Sequence, residues 1–270
     1  EDVGSSVTSV KPGDAVICHP FNACGICLSC RYGHDMYCDH GKFPGLGLDG
    51  GFAEYFKTNE RAVIKLNTGI TPLSVAPMAD AGITAYRAAK KAAKLLHPGG
   101  YVVLLGIGGL GHIALQVLKH TCGARVIAVD QEPGAQALAK DLGADIVIAG
   151  GANLVEQIKD LTGGGAHVAI DFVGEHGTEN LCWQMLRQGG ELIMVGYGGE
   201  VRVPTLELVA NEIKIGGSLV GDFVELVELM EMNADGKVKM HQTEYKLDNI
   251  NQAISDFKAR KFTGRGVIVP

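Results

Sequence analysis

Cys24-Gly-Ile-Cys27-Leu-Ser-Cys30 is followed, after seven residues, by Cys38. Four thiolates this close in sequence can wrap one tetrahedral Zn²⁺ and leave no position open for a reactant, which is the pattern of a metal that holds structure. Two disulfides or an iron–sulfur cluster are the competing readings. No secretory signal accompanies the cysteines, and a ferredoxin-type cluster usually spaces its fourth cysteine differently, so zinc fits better. Such a site supplies on the order of 10 kcal/mol, comparable to the stability of a whole domain. Each of the four thiols is therefore expected to be needed for the local fold.

A second constellation lies at Gly106-Ile-Gly108-Gly109-Leu-Gly111. The motif G-x-G-x-x-G binds a dinucleotide when it turns a strand into a helix: Gly106 would allow the tight turn, Gly108 the approach of a pyrophosphate, and Gly111 close packing of helix on strand. Alone, it fits equally well a glycine-rich turn that binds nothing. Asp130 changes the balance, because it ends the next apolar run about 20 residues on, where an acid can accept both ribose hydroxyls. A carboxylate there repels a 2′-phosphate, and no Arg or Lys stands between Asp130 and Lys140 to receive one. NAD is therefore expected, not NADP.

The elements that position these residues follow from the pattern. Residues 1 to about 70 carry short alternating runs, Asp14–Cys18 and Phe52–Phe56, close to Gly or Pro, and read as a small all-β region. An Ala-rich helical stretch runs from Thr84 to Leu96. Apolar runs at Tyr101–Leu105, Arg125–Val129, Asp145–Ile148, His167–Phe172, Glu191–Val195 and Ile213–Ser218 then alternate with amphipathic helical patterns, except around Val203–Asn211, where the pattern is less clear. That rhythm predicts an α/β fold with a doubly wound parallel Rossmann sheet. Near the C-terminus, Asp248 is a candidate N-cap for a helix burying Ile250, Ala253, Ile254 and Phe257, and Gly266–Val269 reads as a closing strand.

Composition excludes several functions. The net charge is −6 with no basic run, so nucleic acid is not an expected partner. The most hydrophobic window, Tyr101–Leu118, is broken by four glycines and a histidine, so no membrane span is expected. Cys18, Cys122 and Cys182 are scattered, which suits a reducing, cytoplasmic setting. The chain opens Glu1-Asp2-Val3-Gly4 without Met or an apolar leader, and its first residue is not expected to be where translation begins.

The cysteine lobe, Gly50-Gly51-Phe-Ala-Glu-Tyr55, Ala79-Asp80-Ala-Gly-Ile-Thr84-Ala-Tyr86 and the glycine turn occur in one order that resembles the zinc-dependent medium-chain alcohol dehydrogenases, particularly bacterial secondary or broad-range members. The likeness runs from Val3 to Pro270. It implies a mainly β GroES-like catalytic domain over residues 1–83 and 222–270, with the four-cysteine zinc lobe, around an NAD-binding domain over 84–221. It further implies that Asp80 is a ligand of a catalytic zinc, although Asp80 also suits a helix cap before Ala81. Thr84 and the backbone of Val195, Ser218 and Val220 would surround the nicotinamide, Val173 would pack along the cofactor, and Arg265 would approach the pyrophosphate. The implied activity is reversible hydride transfer between an alcohol and NAD⁺ in a homodimer or homotetramer, with small-molecule alcohols, aldehydes or ketones as substrates.

One departure stands against the match. The family's upstream segment, with a zinc-binding Cys and a Gly-His-Glu motif, has no counterpart in this sequence. The chain is accordingly expected to be N-terminally incomplete, and the alternative is a truncated, non-catalytic NAD-binding protein that keeps only its structural zinc.

Overall fold

Val16-Ile-Cys18 and Val63-Ile-Lys65 each bury one central isoleucine, and they pair as antiparallel strands β1 (Val16–Cys18) and β2 (Val63–Lys65) with Ile17 opposite Ile64. The computed structural model describes all 270 residues and divides into two compact units, Glu1–Ile83 with Val220–Pro270, and Thr84–Leu219. In the first unit, the loop between β1 and β2 holds helix α1 (Leu28–Arg31), which buries Cys30, and a 3-10 turn, Asp35–Tyr37, which buries Asp35 and Met36. Helix α2 (Pro72–Val75) starts where a helix should: Pro sits at its first position, and the Thr71 hydroxyl accepts the Ser74 N–H at 3.3 Å. A 3-10 turn, Ala76–Ala79, leads through Asp80 into α3 (Ala81–Ala93).

The second unit is built on one sheet. Its strands are β3 (Tyr101–Leu105), β4 (Arg125–Val129), β5 (Ile146–Ile148), β6 (Ala166–Asp171), β7 (Leu186–Met194) and β8 (Lys214–Gly217), in the order β5-β4-β3-β6-β7-β8, every pair parallel. Helices α4 (Gly111–Thr121), α5 (Pro133–Asp141), α6 (Leu154–Thr162), α7 (Thr178–Gln184) and α8 (Thr205–Ala210) fill the crossovers. Covered on both faces, β3 has no need of alternation, and Val102 through Leu105 are all buried. Val103, Leu105, Ile127, Val129, Ala169 and Leu192 pack on one side of the sheet against Leu154, Ile158 and Met185. Each large apolar side chain removed from water there contributes about 1.5–3 kcal/mol. The strand order reverses between β3 and β6, and in such sheets ligands bind at the carboxyl ends beside that point.

The first unit resumes with α9 (Phe223–Ala234), opened by a capping box in which Asp222 and Glu225 exchange side-chain and backbone hydrogen bonds. Strand β9 (Gln242–Lys246), helix α10 (Ile250–Lys258) and strand β10 (Arg265–Val269) follow, with β10 parallel to β9. Two expectations are corrected. Phe52–Phe56 bends instead of extending, because no strand lies beside it to pair with, and Phe52 and Tyr55 are largely exposed. Helix α10 is preceded by a 3-10 turn, Leu247–Asn249, which makes Asn249 its N-cap; Ala253 is buried but Ile254 and Phe257 are exposed. No helix is long and apolar enough to cross a membrane.

Candidate functional site

At the end of β3 the chain must turn sharply, and Gly106 does so at φ +85, a left-handed conformation that disfavours any side chain. Its N–H donates to the Val129 carbonyl at 2.9 Å, tying the turn to β4. A Cβ on Gly111, the first residue of α4, would lie 1.8 Å from the Gly106 carbonyl oxygen, so only glycine fits there. Over Gly108 the same test meets open space, which leaves its backbone accessible to a ligand; Gly109 follows it in the turn. His112 is fully buried, and its Nδ1 lies 2.7 Å from the Gly108 carbonyl, so it braces the turn from beneath.

Asp130 closes β4 beside this turn. Its Oδ2 accepts the Ile107 N–H at 2.7 Å and its Oδ1 the Glu132 N–H at 2.9 Å. Each carboxylate oxygen has a second lone pair. A diol could therefore bond to the same carboxylate that fixes the turn.

Further along the carboxyl ends of the strands, Val173 stands against the glycine turn, 2.9 Å from where a Cβ on Gly106 would sit. The Val195 N–H donates to the Asp171 carbonyl at 2.9 Å, and the Ser218 N–H to the Met194 carbonyl at 2.8 Å. The Ser218 hydroxyl is buried without a hydrogen-bond partner, which costs free energy unless a ligand's polar group meets it. Thr84 lies half-buried in the first turn of α3.

In the first unit the sulfur atoms of Cys24, Cys27, Cys30 and Cys38 all lie within 4.8 Å of one another. The Cys24 N–H points at the Cys38 sulfur at 3.2 Å and the Cys27 N–H at the Cys24 sulfur at 3.4 Å. N–H groups from Ile26 and Cys27 hold the Cys24 thiol down at about 6, whereas burial pushes Cys30 up to about 12. Ionising all four therefore needs a cation among them, and the compact sulfur set suits zinc. Arg61 braces the lobe, donating to the Asp35 carboxylate at 2.6 Å and to the Cys30 carbonyl at 3.2 Å.

Asp80 faces a cavity of about 790 Å³ lined also by Cys18, His19, Phe43, Phe52 and Phe56. The concave, largely apolar wall thins the water around it and raises its pKa, while the charge of Arg265 pulls the other way. Arg265, at the start of β10, is thus the electrostatic partner of Asp80. The cysteine set is the only cluster of three or more metal-binding side chains in the structure. Asp80 belongs to no such cluster, and the residues around it alone do not fit a second zinc.

Residues 109–235 match the model of the zinc-binding dehydrogenase family, and residues 1–68 that of the alcohol dehydrogenase GroES-like domain. An alcohol dehydrogenase of Geobacillus stearothermophilus is 37% identical over 270 residues, covering 99% of this chain and 78% of the relative. An NAD-dependent alcohol dehydrogenase of Sulfurisphaera tokodaii is 34% identical over 275 residues, covering 100% and 79%. This chain belongs to the zinc-dependent medium-chain alcohol dehydrogenases. The crystal structure of the alcohol dehydrogenase from Aeropyrum pernix matches it with a TM-score of 0.96 at 47% identity, covering 100% of this chain and 79% of that one.

Within this alcohol dehydrogenase, sequence reasoning passed over several residues that shape the candidate site. Asp171 is fully buried at the end of β6; burial pushes its carboxyl up, against hydrogen bonds from the Val173 and Gly174 N–H groups and the Thr178 hydroxyl. An acid ending an apolar run before Gly174 was the available signal. Asp35 and Arg61 carry no such signal, because only the fold brings them beside the cysteines.

Proposed function

We propose that this chain is an NAD-linked alcohol dehydrogenase that moves a hydride reversibly between the carbinol carbon of a primary or secondary alcohol and the nicotinamide of NAD⁺. The observation that carries the reading is the glycine turn closed by Asp130, in a chain whose relatives are named NAD-dependent alcohol dehydrogenases. The unit Thr84–Leu219 is read as the cofactor domain and the remainder as the catalytic domain. Gly106, Gly108, Gly109 and Gly111 let the pyrophosphate approach the N-terminus of α4, where backbone N–H groups and the helix dipole favour its charge. Asp130 receives the adenosine ribose. Val173 packs along the cofactor, and Thr84 with the backbone of Val195, Ser218 and Val220 frames the nicotinamide, where the unpaired Ser218 hydroxyl can meet its carboxamide.

Bound NAD supplies the hydride acceptor; the chain supplies position and exclusion of water. Zinc in the Cys24, Cys27, Cys30 and Cys38 set keeps the lobe folded and takes no part in the chemistry. Asp80 is kept as a candidate ligand of a catalytic zinc by family resemblance only, since the side chains around it do not complete such a site, with Arg265 steadying its charge or turning to the pyrophosphate. No cysteine is joined in a disulfide, which suits a reducing, cytoplasmic location. A homodimer or homotetramer is favoured by the exposed edge strand β8 and by Leu206 and Val209 on α8, which stand in solvent.

The test combines NADH binding, metal content and turnover. NADH should bind, and a panel of small alcohols should give NADH absorbance at 340 nm that a zinc chelator suppresses. Binding with one zinc per chain and no turnover on any alcohol would support the second reading, an NAD-binding protein with a structural metal only. Absence of both NADH binding and zinc would end either reading.

A further inference from the structure

Val220 has φ +40. That region is costly for a β-branched residue, and the other non-glycine residues with positive φ, His176, Glu212 and Arg260, are polar and exposed, whereas Val220 is buried. Strain of this kind persists only where the surroundings enforce it. The two residues that follow show what does so.

The Gly221 carbonyl accepts from His19 Nε2 at 2.9 Å, across 202 residues of sequence. The tautomer is fixed from the other side of the ring: the Phe21 N–H donates to Nδ1 at 3.3 Å, so the proton sits on Nε2. His19 is 2% exposed, held between the rings of Phe21 and Phe223. Asp222 is held likewise, its Oδ2 lying 3.0 Å from His34 Nδ1. Its own N–H is taken by Glu225 Oε2 at 2.9 Å in the capping box. A Cβ on Gly221 would fall 2.6 Å from Ile83 Cγ1, so the corner has no room to shift that way.

Both histidines belong to the metal loop. His19 follows β1 directly and precedes Cys24; His34 lies between Cys30 and Cys38, with its N–H bonded to the Ser29 carbonyl. The four-cysteine lobe thus grips the corner Val220-Gly221-Asp222 at two points. We infer that His19 and His34 are positioning residues that hold Val220 in its strained conformation, so that the folded metal lobe sets the affinity for the nicotinamide half of the cofactor. This rests on the reading that the Val220 backbone frames the nicotinamide. The adenosine half, bound at the glycine turn and Asp130, is independent of the corner.

The experiment compares NADH with ADP-ribose, which lacks the nicotinamide, on the zinc-loaded full chain. His19→Phe and His34→Ala remove the donors; His19→Gln and His34→Asn keep a nitrogen donor near the original place. The donor-less variants should bind NADH about tenfold more weakly, the effect of one hydrogen bond, with zinc content and ADP-ribose affinity unchanged. The donor-retaining variants should stay within about twofold of wild type. His34 is half exposed, so its variants remain foldable should His19→Phe fail. Unchanged NADH affinity in His34→Ala, or equal loss of NADH and ADP-ribose, would overturn the inference alone. Failure of the wild-type chain to bind either ligand would remove the cofactor reading beneath it.

Discussion

In the proposed function, one carboxylate, that of Asp130, would carry two duties. It already accepts the Ile107 and Glu132 N–H groups, so replacing it disturbs the turn as well as any ribose contact. In Asp130→Asn an amide NH₂ must face one of those N–H donors, and a hydrogen bond to a charged acceptor worth about 1.5–3 kcal/mol is lost. NADH affinity measured by fluorescence titration should fall between about ten- and a hundredfold. The preference over NADPH should narrow, because the charge that repels a 2′-phosphate has gone. The position of Asp130 beside the turn was legible from its distance to the glycines, since that spacing is set by a single βαβ unit. Asp171 had a local signal, an acid ending an apolar run, that was passed over; the His19 and His34 pair had none, because their partners lie about 200 positions away and a linear pattern carries no record of such meetings.

The glycine turn is an element with almost no slack. A Cβ at position 111 would overlap the Gly106 carbonyl oxygen, a backbone atom with no rotamer to escape into. Gly111→Ala is therefore expected to destabilise by at least about 2 kcal/mol and to displace α4 from β3. Thermal unfolding should show the loss, and NADH binding should be abolished; a variant with wild-type melting and affinity would refute this account of the turn. The six sheet strands were legible because buried parallel strands are continuous apolar runs, and only their ends shifted by a few residues. Phe52–Phe56 misled because alternation reports what a segment could bury, whereas a strand also needs a neighbour for its backbone. Helix α10 misled in the same way: Ile254 and Phe257 have the right spacing, but both stay exposed.

For the whole molecule, the proposed dimer or tetramer would use the exposed edge of β8 and the exposed apolar residues of α8. Lys214 through Gly217 are all exposed, and Leu206 and Val209 on α8 are 74% and 73% exposed. A charge on that surface should prevent assembly at little cost to the fold. Leu206→Glu with Val209→Glu is expected to convert the sedimenting species from dimer or tetramer to monomer while far-ultraviolet circular dichroism stays unchanged. A wild-type chain that sediments as a monomer would show that the edge serves another purpose. The first unit has a different exposure, in time. Its two halves are Glu1–Ile83 and Val220–Pro270, so its early portion leaves the ribosome long before the segment that His19 and His34 must grasp. At about 5–20 residues per second, some 10 to 40 seconds of synthesis separate them. During that interval the nascent cysteine loop lacks the corner that His19 and His34 contact, and capture of a metal ion is the event best able to protect its thiols until that segment arrives.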